Sequence, residues 1–395
     1  MLKIRNQVAI VGCGYSRIGR HLDDPLGVLA VEAARAAAGD AGLDVREIDG
    51  LCVFPSPMMH GAGDFEGIDY VSVGYMARAL QLPRLRWTCR VTPSSFVSSL
   101  AEAVNAVATG SCRYALIWRA MHNPSGRFGR YTQTVAKGSD EFTAPYGLSN
   151  YGMLYAIAYS RYMALHGATR EHMAAFIVNN RRNATLNPHS VFKAKPITRD
   201  DYLNDRMFAE PLSYLDADMG VDGAGAVIIT TAERARELKQ KPAYVIGHAS
   251  IGGETRNTPF RTLESFRDIA GFVADALWEG TGLRATDVDQ PNLYDGFSWF
   301  TYGWLEALGF CKEGEAFEFI QGGRIALEGK LPLNTSGGSL GMGRMHGPPQ
   351  VIESVLQLQG RAGNRQVPGT TITLAVTGST FATVGAMLFT NDPTV

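Results

Sequence analysis

Apolar and polar positions follow two different periods near the start of the chain. Residues 7–12 form a short apolar run that ends in glycines, and residues 25–42 repeat Ala, Leu and Val at helical spacing. Residues 48–54 return to a short apolar run. Short apolar runs are typical of strands, whereas apolar residues recurring every three to four positions mark a helix. The opening therefore predicts a strand, a helix and a second strand.

The same order of elements returns later, over residues 243–247, 266–282 and 288–293. The two copies can be laid over each other without a gap at an offset of 240 residues, the distance from Gly42 to Gly282. The predicted helix end and the following strand start then match in both copies. A chance match is the alternative, because such helix ends are common in α/β proteins.

Both copies continue with the same further elements, a helix, a strand and a closing strand: 94–110, 115–118 and 223–230 in the first, 348–360, 371–376 and 385–390 in the second. Strand-helix-strand crossovers favour parallel sheets that are covered by helices. We therefore predict an α/β fold built from two duplicated halves that pack together.

The segment between the two copies is predicted to be an excursion rather than a linker. Residues 1–120 and 219–240 make the N-terminal half, and residues 241–395 make the C-terminal half. Residues 121–218 are polar and aromatic, with one helical pattern over residues 151–166. This segment exceeds any ordinary connection, so we predict that it shapes a functional site.

Composition narrows the class of protein without deciding its function. The chain has 395 residues, of which 45% are hydrophobic and 19% charged, with a formal net charge of −1. That balance gives no electrostatic reason to expect nucleic acid or an anionic membrane as a partner. No apolar run reaches the roughly 18 residues of a membrane span. Five scattered cysteines without C-x-x-C spacing predict a reduced, cytoplasmic protein with no metal site.

The first candidate site is the turn at residues 90–96, between a predicted strand and a predicted helix. The N–H groups and the dipole at a helix start favour an oxyanion or a nucleophile, which makes Ser94 and Ser95 candidates for substrate binding. Capping of the helix is the alternative role for both serines. Cys89 ends the preceding strand, where a structural thiol is the alternative to a reactive one.

The second candidate is a glycine-dense loop at residues 334–349, with His346 just ahead of a predicted helix. His346 could donate a hydrogen bond to a developing oxyanion; a surface histidine that caps the helix is the alternative. The duplication makes this loop the counterpart of the Ser94 turn, so the two helix starts are predicted to meet. Gly378 ends another predicted strand and could offer a backbone N–H to a carbonyl oxygen.

The third candidate is the pair Tyr294 and Asp295, at the end of the predicted strand over residues 288–293. Tyr294 could accept a proton. In the structural alternative, Tyr294 is a buried residue whose hydroxyl has a partner, and Asp295 caps the next helix, over residues 297–308. Spacing alone favours this structural alternative.

Together these features resemble the thiolase superfamily, and within it the sterol-carrier-protein type. The resemblance covers nearly the whole chain, and the following motifs carry it: residues 180–189, 208–213 and 222–226, the sequence YDGF at residues 294–297, and the dipeptide HG at residues 346–347. It implies a five-layer αβαβα fold, a tight homodimer and coenzyme A (CoA) thioester substrates.

The catalytic cysteines of thiolases are missing from this chain, since their positions fall at about Pro93 and Thr377. Acyl-enzyme chemistry needs an activated nucleophile, so thiolytic cleavage is not expected. YDGF without that nucleophile is similar to the acyl-CoA retro-aldolases that shorten steroid side chains, in which a tyrosine at the position of Tyr294 is the proposed base. Some of these enzymes carry a second tyrosine two residues before the loop histidine, where this sequence has Arg344.

This resemblance implies cleavage of a β-hydroxyacyl-CoA into a ketone or aldehyde and a short acyl-CoA. No covalent acyl-enzyme forms, and CoA is present only as part of the substrate. Tyr294 would take the proton from the β-oxygen, provided that its surroundings depress its pKa from about 10. His346 and a backbone N–H near Gly378 would hold the enolate oxygen. Asp295 and Arg344 would orient Tyr294 or lower its pKa.

The resemblance also implies a partner subunit with an OB fold and a zinc ribbon, linked to an enoyl-CoA hydratase. Two other functions stay open on the sequence alone. One is Claisen-type acyl transfer, with Cys89 or Ser94 as a displaced nucleophile. The other is a non-catalytic scaffold that keeps the fold in order to bind a CoA ester.

Overall fold

A computed structural model describes residues 4–54, 65–91, 95–122, 136, 138–148, 151–252, 262–378 and 383–395. The first part of the chain forms four strands and three helices: β1 (Val8–Tyr15), α1 (Leu26–Ala41), β2 (Gly50–Val53), α2 (Val73–Ala79), β3 (Trp87–Arg90), α3 (Phe96–Ala108) and β4 (Ala115–Met121). The middle segment adds α4 (Tyr151–His166), α5 (Arg170–Thr185), α6 (Arg199–Leu203), β5 (Met207–Ala209) and β6 (Leu212–Ser213).

The remaining elements close the first half and build the second. They are β7 (Gly223–Thr231), α7 (Ala232–Ala235), β8 (Ala243–Gly252), α8 (Leu263–Thr281), β9 (Gln290–Asn292), α9 (Phe300–Ala307), α10 (Ala316–Phe319), α11 (Gly338–Met342), α12 (Pro348–Leu358), β10 (Ile372–Gly378) and β11 (Thr383–Thr390).

The strand order shows the duplication predicted from the sequence. Nine strands are hydrogen-bonded in the order β3-β2-β4-β7-β1-β8-β11-β10-β9. The two halves meet where β1 pairs with β8. Counted outward from that junction, the first half has the order β1, β7, β4, β2, and the second half has the equivalent order β8, β11, β10, β9. α1 and α8 also end alike, at Gly42 and Gly282, both left-handed with φ of 72° and 69°. Only glycine adopts that backbone conformation without steric cost, which explains the helix ends seen in the sequence.

The layers of the fold arise because successive side chains along a strand point to opposite faces of the sheet. α3 and α12 bury their apolar faces in one cluster together with the inward side chains of both halves, such as Val8 and Val245. α1 covers the outer face of the first half, and α8 covers that of the second. The order is helix, sheet, helices, sheet, helix, and the central strands such as β1 and β7 bury side chains on both sides. The predicted bounds of the two halves and of the excursion remain a prediction.

The middle segment holds more regular structure than its sequence pattern suggests. The helix predicted over residues 151–166 is α4, but the prediction of one helix there missed α5 and α6. α5 buries Asn179, Asn180 and Asn183 against the rest of the chain. Because these amide side chains interrupt the apolar face that includes Met173 and Ile177, hydrophobic periodicity reveals this helix poorly.

The carboxyl ends of the parallel strands position the functional groups. β2 runs parallel to β3 and β4, and β9 runs parallel to β10. Parallel strands present their carboxyl ends at one edge, where α/β proteins bind ligands. At the duplication offset of 240 residues, Phe54 after β2 corresponds to Tyr294 after β9. Each half therefore ends a strand on an aromatic residue at this edge.

Candidate functional site

Tyr294 and His346 lie together, as the sequence predicts. The Tyr294 loop (residues 294–297) follows β9, and the His346 loop (residues 334–347) leads into α12. The two rings are nearly perpendicular, at 81°, with centroids 6.4 Å apart. Tyr294 is 7% exposed, and His346 is half-buried. A substrate atom between these rings would contact both a hydroxyl and an imidazole.

The glycine of YDGF lets the Tyr294 ring fold back over its own loop. A Cβ atom added to Gly296 would lie 2.5 Å from the Tyr294 hydroxyl oxygen, so any larger residue would displace the phenol. The other side of the ring stacks on Phe300 at the start of α9, with centroids 6.2 Å apart. Local sequence therefore fixes the direction of the phenol.

The Tyr294 phenol is held in its neutral form. Burial raises its pKa well above 10, the Asp218 carboxylate raises it further, and Arg344 offsets only part of the rise. The sequence-based mechanism required a depressed pKa at this residue, and that condition is not met. Tyr294 can donate or relay a proton at neutral pH, but it does not stand as a phenolate.

A buried ion pair that the sequence did not predict lies beside Tyr294. The Asp218 Oδ1 atom accepts hydrogen bonds from Arg344 Nε at 2.7 Å and Arg344 Nη2 at 2.6 Å. The side chains of both residues are 3% exposed or less. The pair joins positions 126 residues apart, so no local motif announced it. The Arg344 guanidinium is therefore paired with the Asp218 carboxylate of this same chain.

Asp295 anchors the glycine loop instead of capping the next helix in sequence. Its carboxylate accepts hydrogen bonds from Ser339 N at 2.6 Å, Leu340 N at 3.4 Å and Asn180 Nδ2 at 2.8 Å. It therefore caps α11, and the prediction that it caps the helix after Tyr294 is wrong. A Cβ atom on Gly338 would lie 2.1 Å from Asp295 Oδ2, which explains the paired glycines of this loop.

The charge of Asp295 acts opposite to the proposed pKa-lowering role. Burial raises the pKa of this carboxyl to about 7, although N–H groups of Ser339 and Leu340 hold it down. When ionised, Asp295 raises the pKa of Tyr294. A carboxylate next to a phenol disfavours the phenolate, so Asp295 cannot be the group that lowers that pKa.

The amide face of α5 holds the His346 loop in place. Asn183 Nδ2 donates to Asn334 O at 3.2 Å, and Asn187 Nδ2 donates to Ser336 O at 3.0 Å. In turn the Asn334 side chain pairs with both backbone groups of Leu293, at 2.7 and 3.0 Å. The excursion is therefore linked by hydrogen bonds to the strand end that carries Tyr294, and its Tyr155 ring also packs on Phe297 of the Tyr294 loop.

The start of α3 is closed by two hydroxyl groups. Ser95 Oγ accepts from Ser98 N at 3.2 Å, and Thr377 Oγ1 accepts from Val97 N at 2.9 Å. Ser95 is 1% exposed. The capping alternative for Ser95 is therefore the one seen, while Ser94 and Pro93 lie outside the described residues.

The two helix starts meet, as the duplication predicts. Gly347 precedes α12 with φ of 123°, and a Cβ atom there would lie 2.5 Å from Phe96 Cβ at the start of α3. His346 itself has φ of 52°, a left-handed conformation that is uncommon for non-glycine residues. Gly378, with φ of 90°, ends β10 opposite Val384. These close approaches fix the direction of the His346 ring.

A cavity of about 310 Å³ opens at the carboxyl ends of β2 and β4. Arg119 forms part of its wall, 1% exposed, with its guanidinium 4.4 Å from the Phe54 ring and Nη1 donating to Phe54 O at 3.0 Å. Burial lowers the pKa of Arg119 to about 9, and an electrostatic interaction with the Tyr294 side chain opposes that shift. The lining is mostly apolar and includes Leu26, Val53, Val71, Val73, Trp118 and Ala120. Arg119 was missed by the sequence analysis, although an arginine within the apolar strand β4 is unusual and could have indicated a functional residue.

Cys89 is half-buried next to Cys52 on the neighbouring strand. A hydrogen bond from Cys52 lowers the pKa of Cys89 to about 7, although burial opposes the shift. Sequence reasoning favoured an inert buried thiol; the structure gives Cys89 substantial thiolate character at neutral pH.

The described ranges contain neither a membrane-spanning helix nor a cluster of metal-binding side chains. None of the described helices is both long and apolar enough to cross a membrane. Nor do three or more His, Cys, Asp or Glu side chains converge there as ligands for a metal ion.

Comparison with known proteins decides the family. Residues 269–391 match the model of thiolase C-terminal domain-like sequences. The 17-hydroxy-3-oxo-4-pregnene-20-carboxyl-CoA lyase of Mycobacterium tuberculosis is 35% identical to this chain, over 98% of it and 100% of the relative. The chain belongs to the thiolase superfamily. Within that superfamily, the steroid side-chain-cleaving aldolase of Thermomonospora curvata is 31% identical, over 97% of this chain and 98% of its own.

Solved structures of the superfamily confirm the five-layer fold. The Ltp2-ChsH2(DUF35) aldolase has a TM-score of 0.86 at 30% identity, covering 98% of this chain and 99% of that one. Human mitochondrial 3-ketoacyl-CoA thiolase, at 14% identity, has a TM-score of 0.68 and similar coverage, 98% and 99%. Thiolases and this chain therefore share one architecture, and differences in activity must come from the loops at the strand ends.

Proposed function

We propose that this chain is an acyl-CoA retro-aldolase. It is a carbon–carbon lyase that splits a β-hydroxyacyl-CoA into a ketone or aldehyde and a short acyl-CoA. The observation that carries this proposal is that Tyr294 and His346 lie together at the strand ends. At the same site, Thr377 stands at the position of a thiolase cysteine, and its hydroxyl accepts a hydrogen bond from the start of α3. Two of the relatives that match it over nearly their full length are named as enzymes of this reaction class.

The reaction needs two functions from the protein. A group must accept the β-hydroxyl proton as the Cα–Cβ bond breaks, and donors must hold the thioester oxygen as it becomes an enolate. Tyr294 contacts the β-oxygen. His346 and a backbone N–H near Gly378 hold the enolate oxygen, and no cofactor takes part, since CoA belongs to the substrate.

The direct test is turnover by the protein together with its partner subunit. A synthetic β-hydroxyacyl-CoA is incubated with the co-expressed complex, and products are followed by mass spectrometry. Release of equimolar ketone and shortened acyl-CoA supports the proposal. CoA-dependent thiolysis, or no cleavage of any β-hydroxyacyl-CoA, contradicts it.

The apolar cavity suits a ring system as the leaving half of the substrate. Its volume of about 310 Å³ falls at the small end of ligand sites, and a mostly apolar lining with a few polar groups is typical of such sites. The lyase of Mycobacterium tuberculosis and the aldolase of Thermomonospora curvata are named for steroid substrates. A steroid-sized acyl-CoA is therefore the proposed substrate class.

Filling the cavity should separate large substrates from small ones. Ala120→Phe is expected to lower kcat/KM for a steroid-sized acyl-CoA about tenfold or more, since overpacking of a fitted space costs about 1–3 kcal/mol. A short-chain β-hydroxyacyl-CoA should be cleaved at nearly the parent rate. Ala36→Phe, on the exposed side of α1, is the matched control. Equal losses on both substrates would place the ring system elsewhere.

We also propose a homodimer and a second subunit. β3 lies at the outer end of the strand order, and no strand among those described pairs with its outer edge. Such an edge is a template for pairing with another chain. The Ltp2-ChsH2(DUF35) structure motivates a DUF35-type partner, of OB-fold and zinc-ribbon type, associated with an enoyl-CoA hydratase. Light scattering of the purified chain, alone and with that partner, tests both assemblies.

Claisen-type acyl transfer is the second candidate, because Cys89 has a pKa of about 7. We expect iodoacetamide to label Cys89 at neutral pH and to spare Cys112, whose pKa burial raises to about 12. Cys89→Ser should leave retro-aldol turnover unchanged. A Cys89 acyl adduct that forms and decays at the turnover rate would favour acyl transfer instead.

A further inference from the structure

The Asp218–Arg344 pair is hydrogen-bonded through its backbone to both loops of the site, or to the segments next to them. Asp218 N donates to Gly296 O in the Tyr294 loop at 3.1 Å, and Arg344 N, in the His346 loop, donates to Met219 O at 2.7 Å. The segment around Asp218 therefore lies between the two loops and is bonded to each. Any substrate atom held by Tyr294 and His346 is close to this segment.

The two oxygens of Asp218 differ in their contacts. Oδ1 is taken by Arg344, while Oδ2 is buried and makes no hydrogen bond with any described residue. Two residues earlier, the equally buried Asp216 uses both oxygens, accepting from Ser298 and Tyr202 on one and from Ser213 on the other. A purely structural carboxylate is satisfied in the manner of Asp216. A buried carboxylate oxygen that accepts no hydrogen bond costs folding free energy, unless a ligand or a proton binds to it.

Asp218 also acts on the phenol of Tyr294. After burial, its charge is the largest influence that raises the Tyr294 pKa, and Arg344 opposes it. Burial raises the pKa of Asp218 itself, and Arg344 lowers it. Tyr294 and Asp295 are the other titratable groups that interact with this carboxylate. A neutral phenol next to an ionised carboxylate can form a proton relay, in which the carboxylate is the deprotonated group that accepts the proton as the phenol receives another.

We propose that Asp218 is the terminal acceptor of the substrate proton, that Tyr294 relays it, and that Arg344 is the positioning residue that holds the carboxylate. The inference rests on the proposed retro-aldol function. The β-hydroxyl proton moves to the Tyr294 oxygen as the Tyr294 proton moves to Asp218 Oδ2. The O–H electron pair forms the new C=O bond, the Cα–Cβ pair becomes the enolate, and the proton on Asp218 returns to Cα.

Asp218→Asn removes the acceptor and keeps the shape. We expect kcat to fall about a hundredfold or more, with KM little changed, as for other general bases. The acidic limb of the pH–rate profile should disappear as well. Asp49→Asn is the control, since Asp49 is a buried carboxylate in the first half that accepts from Arg113 N and Tyr114 N, away from Tyr294. Its pH profile should match that of the parent.

Arg344→Gln tests the same idea in a folded background if Asp218→Asn proves unstable. Arg344 lowers the Asp218 pKa, so its removal should move the acidic limb to higher pH, and Arg344→Lys should move it less. An unmoved limb in the Arg344 variants, or a parent-like profile in Asp218→Asn, would overturn the relay. If the parent enzyme cleaves β-hydroxyacyl-CoA in the same assay, such a result defeats only this inference; if it does not, the proposed function itself fails.

Discussion

Tyr294→Phe is expected to lower kcat by at least about a hundredfold, because proton transfer by a positioned side chain contributes roughly 10²–10⁴ to such rates. The phenol is 7% exposed and packs on Phe300, and the variant keeps that packing while losing only the hydroxyl. Substrate binding should change little. The measurement is steady-state kinetics on a β-hydroxyacyl-CoA, with products identified by mass spectrometry.

Tyr302→Phe is the matched control for this experiment. Tyr302 is fully buried in the same core, and its hydroxyl makes no hydrogen bond within the described part of the chain. Loss of that hydroxyl should leave kcat unchanged, so an equal fall in both variants would indicate damaged packing rather than lost chemistry. A Tyr294→Phe enzyme as fast as the parent would remove Tyr294 from the mechanism.

The pKa of Tyr294 is where sequence reasoning met its limit. The sequence places Tyr294 at a strand end, but the charges that act on it come from Asp218 and Arg344, which are separated by 126 residues. Burial, the largest cause of its raised pKa, also depends on tertiary packing. The mechanism inferred from the sequence therefore assumed a lowered Tyr294 pKa where the structure raises it, and the catalytic role of Tyr294 stays a prediction.

The two duplicated α/β halves, by contrast, were accessible from the sequence pattern, whereas the five layers were implied by the family resemblance. Gly42 and Gly282 end equivalent helices because a left-handed residue is required there, and this constraint is visible in the sequence. Asp295 shows the opposite case. Capping was a sound general expectation, but the carboxylate reaches Ser339, which is distant in sequence, so only the fold could show which helix it caps. A backbone conformation that requires glycine can be recognised in the local sequence, whereas the partner of a side chain can lie far away along the chain.

The second large effect is expected at His346, as the donor to the enolate oxygen. His346→Ala should lower kcat about a hundredfold, since loss of one such donor costs roughly 3 kcal/mol of barrier. KM should change less than kcat, because the charge on that oxygen develops only as the Cα–Cβ bond breaks. His189→Ala is the control, since His189 is an exposed histidine whose ring packs against Tyr15, with centroids 4.8 Å apart.

The backbone at His346 complicates a simple substitution and also supplies the remedy. Its φ of 52° is left-handed, a region that asparagine enters more readily than alanine. His346→Asn therefore keeps both an N–H donor and the loop conformation, and it should recover part of the activity lost in His346→Ala. If Asn and Ala variants are equally slow while both melt at the parent temperature, the imidazole itself is required, as a proton carrier rather than as a hydrogen-bond donor. If both are as fast as the parent, the enolate oxygen is held elsewhere.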